Sequence, residues 1–277
     1  MNRDATTKFE RCIEHWNSNP SIEFAVQLGD IIDGNDTEEL TEKDMADVVR
    51  VIRQYERPMY HVIGNHCNRY VGGKPRVMEQ LKMESGRSWY RFDPPCPSAS
   101  ESGHVFLVLD GTDVSLNKWD PDHEKSKLAE EWLATHAVED FPNAVTWNGA
   151  ISNEQLDWFE SELSRAREVK SKVFVFCHYP ILADHLVMEI SLLWNAPQLV
   201  DIMDKYSDIV VGWFSGHYHQ GGAQMPKKGI RSWAHVTLEA ILTAAEQSFA
   251  VVDVHEHGVI LHGTGSCNSH RWAFTTP

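Results

Sequence analysis

The sequence predicts an α/β protein in which two β-sheets pack face to face with helices outside them. Two observations carry that expectation. Apolar runs alternate with amphipathic helical patterns over most of the chain, and the last part switches to short β-rich segments joined by turns such as His257-Gly258.

The elements follow in order. Lys8 to Trp16 reads as an amphipathic helix, and Phe24 to Leu28 as a buried strand. Thr41 to Tyr55 is a second helix, with Met45, Val48, Val49 and Ile52 at spacings of three and four. Pro58 to Ile63 and Gly103 to Leu109 are further strands, the latter ending at Asp110. A third helix starts at Ser152, which with Gln155 forms a capping box, and places Leu156, Phe159 and Leu163 on one face. Val173 to Phe176 is the next strand, Pro197 opens a fourth helix, and Ile209 to Phe214 is another strand. Trp233 to Leu238, Phe249 to Val254 and Val259 to His262 complete the set. Gly72 to Ser102, rich in proline, reads as a surface excursion, and the charged insertion from Asn117 to Asn148 as a cover for a site.

At 277 residues, with no Pro/Gly/Ser-rich linker, residues 1–277 are expected to form one domain. A formal charge of −15 argues against a nucleic-acid or anionic-membrane partner, because both demand a basic surface. No apolar stretch approaches the length of about 18 residues that a membrane helix requires, and Met1-Asn2-Arg3-Asp4 carries no secretion signal. Five cysteines (Cys12, Cys67, Cys96, Cys177 and Cys267) without paired spacing suggest reduced thiols and a cytoplasmic location. A monomer is expected.

Four polar strings close four of the apolar runs: Gly29-Asp30-Ile31-Ile32-Asp33, Gly64-Asn65-His66, Cys177-His178-Tyr179-Pro180 and Gly216-His217-Tyr218-His219. Each string alone is weak, since a single histidine is more often a surface or satisfied core residue than a ligand. Four in this order, all at strand ends, specify much more. They offer carboxylate, amide oxygen and imidazole donors to a pair of divalent cations, which would also supply the positive charge an anionic substrate needs in so acidic a chain.

Asp30 is the expected bridging ligand, because a carboxylate can span two ions and an imidazole cannot. Asn65, His178 and His217 would serve one ion with it, and His219 the other. Ions about 3.5–4 Å apart would clamp a phosphoryl oxygen and activate water against phosphorus. His66, next to a ligand, is the expected proton donor to the leaving oxygen, with Asp33 orienting its ring.

The remaining histidines take a bland reading: His15, His104, His123, His136 and His270 lack ligand neighbours, His255 and His257 flank a turn, and His61 sits in a strand. His185 is a candidate to line a pocket, and Trp147 or Trp194 to stack on a base. Cys177, adjoining His178 on a strand, is expected to face away from the metals.

These strings resemble those of the calcineurin-like metallophosphoesterases, over nearly the whole chain from Phe24 to Leu261. Within that superfamily, Val26 to Gly34, Trp147-Asn148-Gly149 leading into Ser152 to Trp158, and Gly216 to Gly222 are similar to the manganese-dependent ADP-ribose/CDP-alcohol diphosphatases, as is Val236 to Ala240. The resemblance implies a four-layer α/β/β/α sandwich, and Asp30, Asn65, His178, His217 and His219 as ligands of two divalent ions, manganese first and zinc or iron as alternatives. It implies hydrolysis of a nucleoside diphosphate conjugate at its pyrophosphate, giving a nucleoside monophosphate and a phosphorylated sugar or alcohol.

Two departures accompany the resemblance. Cys67 stands where an acidic residue often follows Gly-Asn-His. The family's first strand, which carries an Asp and a His or Gln, has no counterpart before Asp30. A gene model short at its start is therefore expected, with one metal held tightly, the other weakly, and turnover impaired. The competing functions are another phosphodiesterase or phosphomonoesterase of the superfamily, and a metal-binding pseudoenzyme.

Overall fold

The computed structural model describes residues 3–69, 72–83, 86–93, 103–116 and 122–274. Cys96, Trp119 and the prolines at 94, 95 and 97 fall outside them.

One sheet has six strands, in the order β3-β4-β5-β6-β8-β7. Its strands are β3 (Tyr90–Phe92), β4 (His104–Leu109), β5 (Lys172–Cys177), β6 (Val210–Ser215), β7 (Gly222–Gln224) and β8 (Ala234–Thr237). The four central strands β4, β5, β6 and β8 are parallel, and β3 and β7 are antiparallel edges. Central parallel strands are covered on both faces, which is why they read as unbroken apolar runs. Alternation then divides each run between two cores. Val105, Leu107, Leu109, Val173 and Val175 face one core, with Cys177, as expected. Phe106, Val108, Phe174 and Phe176 face the other.

On the first face lie α5 (Asn153–Glu168) and α6 (Ala196–Lys205), contributing Phe159, Leu163, Leu199 and Met203. Ser152 caps α5 by accepting from the Gln155 amide at 3.4 Å. The expected reciprocal half of the capping box does not form. The buried Gln155 side chain instead accepts from the Asp110 amide (2.8 Å) and donates to the Asp110 carbonyl (3.2 Å), tying the helix to the end of β4.

Against the second face pack two separate ribbons: the parallel pair β1 (Ala25–Gln27) and β2 (Met59–His61), and the antiparallel trio β9 (Ser248–His255), β10 (Gly258–Gly265) and β11 (His270–Ala273). Outside β1 and β2 lie α1 (Arg3–Ser18) and α2 (Glu38–Ile52). The result is the four-layer order helix, sheet, sheet, helix. In the described residues ahead of β1 stands α1 and no strand.

Gly72 to Ser102, expected to be an irregular surface excursion, holds α3 (Gly73–Gln80) and β3 among its described residues, and the insertion after Asn117 holds α4 (Glu124–Thr135). Trp132 on α4 stacks on Trp194 at 4.8 Å between centroids, and Trp194 is buried, so it is not available to a base. His185 is exposed and away from the large cleft described below. No helix among the described residues is long and apolar enough to cross a membrane.

Candidate metal centre

The polar strings emerge at the carboxyl ends of β1, β2, β5 and β6, where loops from parallel strands converge. Main-chain conformation aims two of the donors. Asp30 (φ 52°) and His217 (φ 63°) occupy the left-handed region, and Gly29 precedes Asp30 at φ 103°. Space is equally tight: a Cβ on Gly64 would strike the Asp30 carboxylate and amide nitrogen, and one on Gly29 would strike the His178 ring.

Donor atoms of Asp30, His178 and His217 all lie within 4.8 Å of one another. His178 Nε2 is 3.1 Å from Asp30 Oδ2 and 3.1 Å from Asn65 Oδ1, so Asn65 joins the group. Asp30 Oδ1 accepts from the His66 amide at 2.8 Å. Burial alone would raise the Asp30 carboxyl, but the imidazoles of His178, His66 and His217 outweigh it and hold the group well below the usual carboxylate range.

Each histidine in the cluster commits one ring nitrogen elsewhere. His178 Nδ1–H donates to the Leu28 carbonyl at 2.8 Å, which leaves Nε2 facing the cluster. His217 Nε2–H donates to Asn148 Oδ1 at 3.1 Å, which leaves Nδ1. His178 Nε2 and His217 Nδ1 are 3.2 Å apart. Burial, followed by the charge on His178, pushes His217 down to about 3. A carboxylate, an amide oxygen and two imidazoles match a borderline divalent ion.

His66 and Asp33 form a pair beside the cluster, with Nδ1 2.6 Å from Asp33 Oδ1. His219 is exposed on the cleft rim and lies outside the three-residue donor group. Asn148 is the residue to which no role attached in the sequence. It is fully buried, and its amide donates to the carbonyls of Asn143, Ile190 and Leu192 at 2.8–3.1 Å, leaving Oδ1 fixed on His217. A loop amide acting through another side chain has no spacing signature; its place at the end of the insertion expected to cover the site was the available signal.

A sandwich of this order with donors at the strand ends defines a metallophosphoesterase, and residues 3–221 match the family model for calcineurin-like phosphoesterases; the chain belongs to that family and is a hydrolase. It is 29% identical over 282 residues to a manganese-dependent ADP-ribose/CDP-alcohol diphosphatase of Arabidopsis thaliana, covering 96% of this chain and 87% of that one. A Homo sapiens protein of the same name is 26% identical over 290 residues, 95% of this chain and 82% of that one. Among solved structures, a dimetal phosphatase from Danio rerio superposes with a TM-score of 0.85 at 22% identity, covering 99% of this chain and 90% of that chain.

Proposed function

We propose that this chain hydrolyses the pyrophosphate bond of nucleoside diphosphate conjugates such as ADP-ribose and CDP-alcohols, releasing a nucleoside monophosphate and a phosphorylated sugar or alcohol. The observation that carries the reading is the convergence of Asp30, Asn65, His178 and His217 beside the His66–Asp33 pair. The relatives named as diphosphatases favour the pyrophosphate over a simpler ester.

Asp30, Asn65, His178 and His217 would hold one divalent ion, manganese by analogy with those relatives, and Asp30 with His219 a second and weaker one. Bound there, divalent ions polarise a phosphoryl oxygen and make water nucleophilic at neutral pH. The chain's own residues do the rest. Asn148 and the Leu28 carbonyl fix the ring faces of His217 and His178. Asp33 accepts from Nδ1–H of His66, which turns Nε2 toward the site to protonate the departing oxygen.

The test compares ADP-ribose and CDP-choline with bis(p-nitrophenyl) phosphate, manganese present. Preferential release of AMP and CMP is the expected result. Preference for the simple diester assigns a phosphodiesterase, and no turnover of any of the three with metal bound assigns a pseudoenzyme.

A further inference from the structure

Residues 182–192, between β5 and α6, hold three aliphatic side chains in the open: Leu186 (47% exposed), Met188 (58%) and Ile190 (36%). Val187, in the same segment, is fully buried. Single exposed apolar residues are ordinary, but three within five residues form a patch that the fold itself leaves uncovered. Hydrogen bonds hold the segment in place. Asp184 Oδ1 accepts from the amides of Leu186 (2.6 Å) and Val187 (2.7 Å), the Asp184 amide donates to the Val187 carbonyl at 3.0 Å, and the Ser191 amide donates to the Met188 carbonyl at 3.0 Å.

Both ends of the segment are tied to the turn that carries His217 and His219. At one end Leu186 and Val187 pack on Gly222, where an added Cβ would lie 3.1 Å from Leu186 Cβ and 2.8 Å from Val187 Cγ2. Gly222 follows closely on His219, and its neighbour Gly221 donates to the Tyr218 carbonyl at 2.9 Å. At the other end the Ile190 carbonyl accepts from the Asn148 amide at 2.8 Å, and Oδ1 of that same side chain holds His217. The patch is thereby fixed in place beside the donor cluster. Leucine, methionine and isoleucine carry no strong hydrogen-bonding group, so they do not read a nucleobase or a sugar, whose edges are polar; they suit a run of methylene groups. Three part-exposed side chains also fall short of the roughly 800 Å² per partner of a stable protein interface, and a charge of −15 disfavours an anionic lipid surface. The occupant is of ligand size.

We propose that Leu186, Met188 and Ile190 form the subsite for the alcohol half of the substrate and select conjugates whose alcohol carries an aliphatic chain. This rests on the reading that the chain cleaves nucleoside diphosphate conjugates: with the pyrophosphate at the donor cluster, the alcohol begins one ester bond away, and the patch borders the cluster through the His217 turn. A second apolar space borders the same cluster, a cleft of about 1100 Å³ lined by α1 and by Phe106, Phe174 and Phe176, which Asp30 and His217 also line. Among the described residues its walls include the unpaired edges of β1 and β9, whose main-chain groups a methylene chain leaves unsatisfied. None of the three aliphatic residues lines that cleft, so substituting them separates the two locations.

The test titrates methyl phosphate and hexyl phosphate, which resemble the alcohol-side product, into the manganese-loaded whole chain by calorimetry. The readout is the ratio of the two Kd values within one protein, so it requires no turnover. Hexyl phosphate is expected to bind the unsubstituted chain about 30-fold more tightly, about twofold per added methylene, half the free energy of full burial. In the triple variant Leu186→Thr, Met188→Gln, Ile190→Thr the ratio is expected to fall below about threefold. All three side chains are exposed, so the core is untouched. A ratio near unity in the unsubstituted chain overturns the proposal, as does failure of both phosphates to bind. A ratio unchanged in the variant overturns it too, because the chain then lies in the cleft or elsewhere. The reaction itself is judged separately, by release of CMP from CDP-choline, so the two readings fail independently.

Discussion

Asn148 Oδ1 stands 3.1 Å from His217 Nε2 and fixes which nitrogen of that ring faces the donor cluster. Asn148→Ala removes the acceptor while Asp30, Asn65 and His178 stay in place. Manganese affinity is expected to fall by about 10–100-fold, read by calorimetric titration. Unchanged affinity in Asn148→Ala would show that Asn148 does not orient His217 for the ion.

The His66–Asp33 pair makes a prediction that separates proton transfer from binding. His66→Ala lowers kcat on ADP-ribose by about 10²–10⁴-fold with little change in KM. A substrate with a p-nitrophenolate leaving group needs no protonation and loses far less. Equal losses on both substrates would remove His66 from that role. Asp33→Asn gives a smaller effect in the same direction.

Gly64 has no room for a methyl group. In Gly64→Ala the new carbon meets the Asp30 carboxylate and amide, so either the bridge between loops or the backbone must move. The expected cost is about 1–3 kcal/mol in urea unfolding, with a matching drop in metal affinity. Unchanged stability and affinity would show that Asp30 is less constrained than its surroundings imply.

Loading the centre stabilises the fold, because the donors converge only in the native state. Manganese at roughly one hundred times its Kd adds about 2.7 kcal/mol, and a chelator removes that increment. Thermal unfolding with and without chelator measures it, and Asp30→Asn abolishes the difference.

Two histidines outside the centre govern acid stability. Burial lowers His61 to about 4 and His235 to about 3. His235 Nε2 accepts from the Ile181 amide at 3.1 Å, which requires the neutral ring. Below the usual histidine pKa of about 6.5 the unfolded chain takes up protons that the native chain refuses. Stability is therefore full above that pH and falls as pH drops toward 4 and 3, by up to about 1.4 kcal/mol per pH unit for each ring. His235→Gln keeps the acceptor and flattens the slope measured by urea unfolding; an unaltered slope would refute its contribution.

Much of this was legible in the amino-acid order, for a physical reason. Strands such as Val173 to Phe176 are buried on both faces, so they appear as uninterrupted apolar runs, and the polar residue ending each run marks the mouth of the sheet. What stayed hidden has less to bury. α4 packs on a small satellite cluster around Ala129 and Trp194, α3 begins at a glycine and includes Pro75, and β3 has three residues. Gln155 carries the sequence pattern of a capping box yet turns to Asp110, because a buried amide between two elements satisfies more partners there than at the helix end. His219 shares the period-two spacing with His217, but the left-handed turn at His217 breaks the extended geometry that would keep both on one side.

That same turn, and its counterpart at Asp30, have a wider meaning. Left-handed backbone costs a side-chain-bearing residue about 1–2 kcal/mol, and here it is imposed as the chain folds. Torsion of the main chain thus casts the donor array like a mould before any ion arrives. Little main-chain entropy then remains to be lost when an ion is loaded.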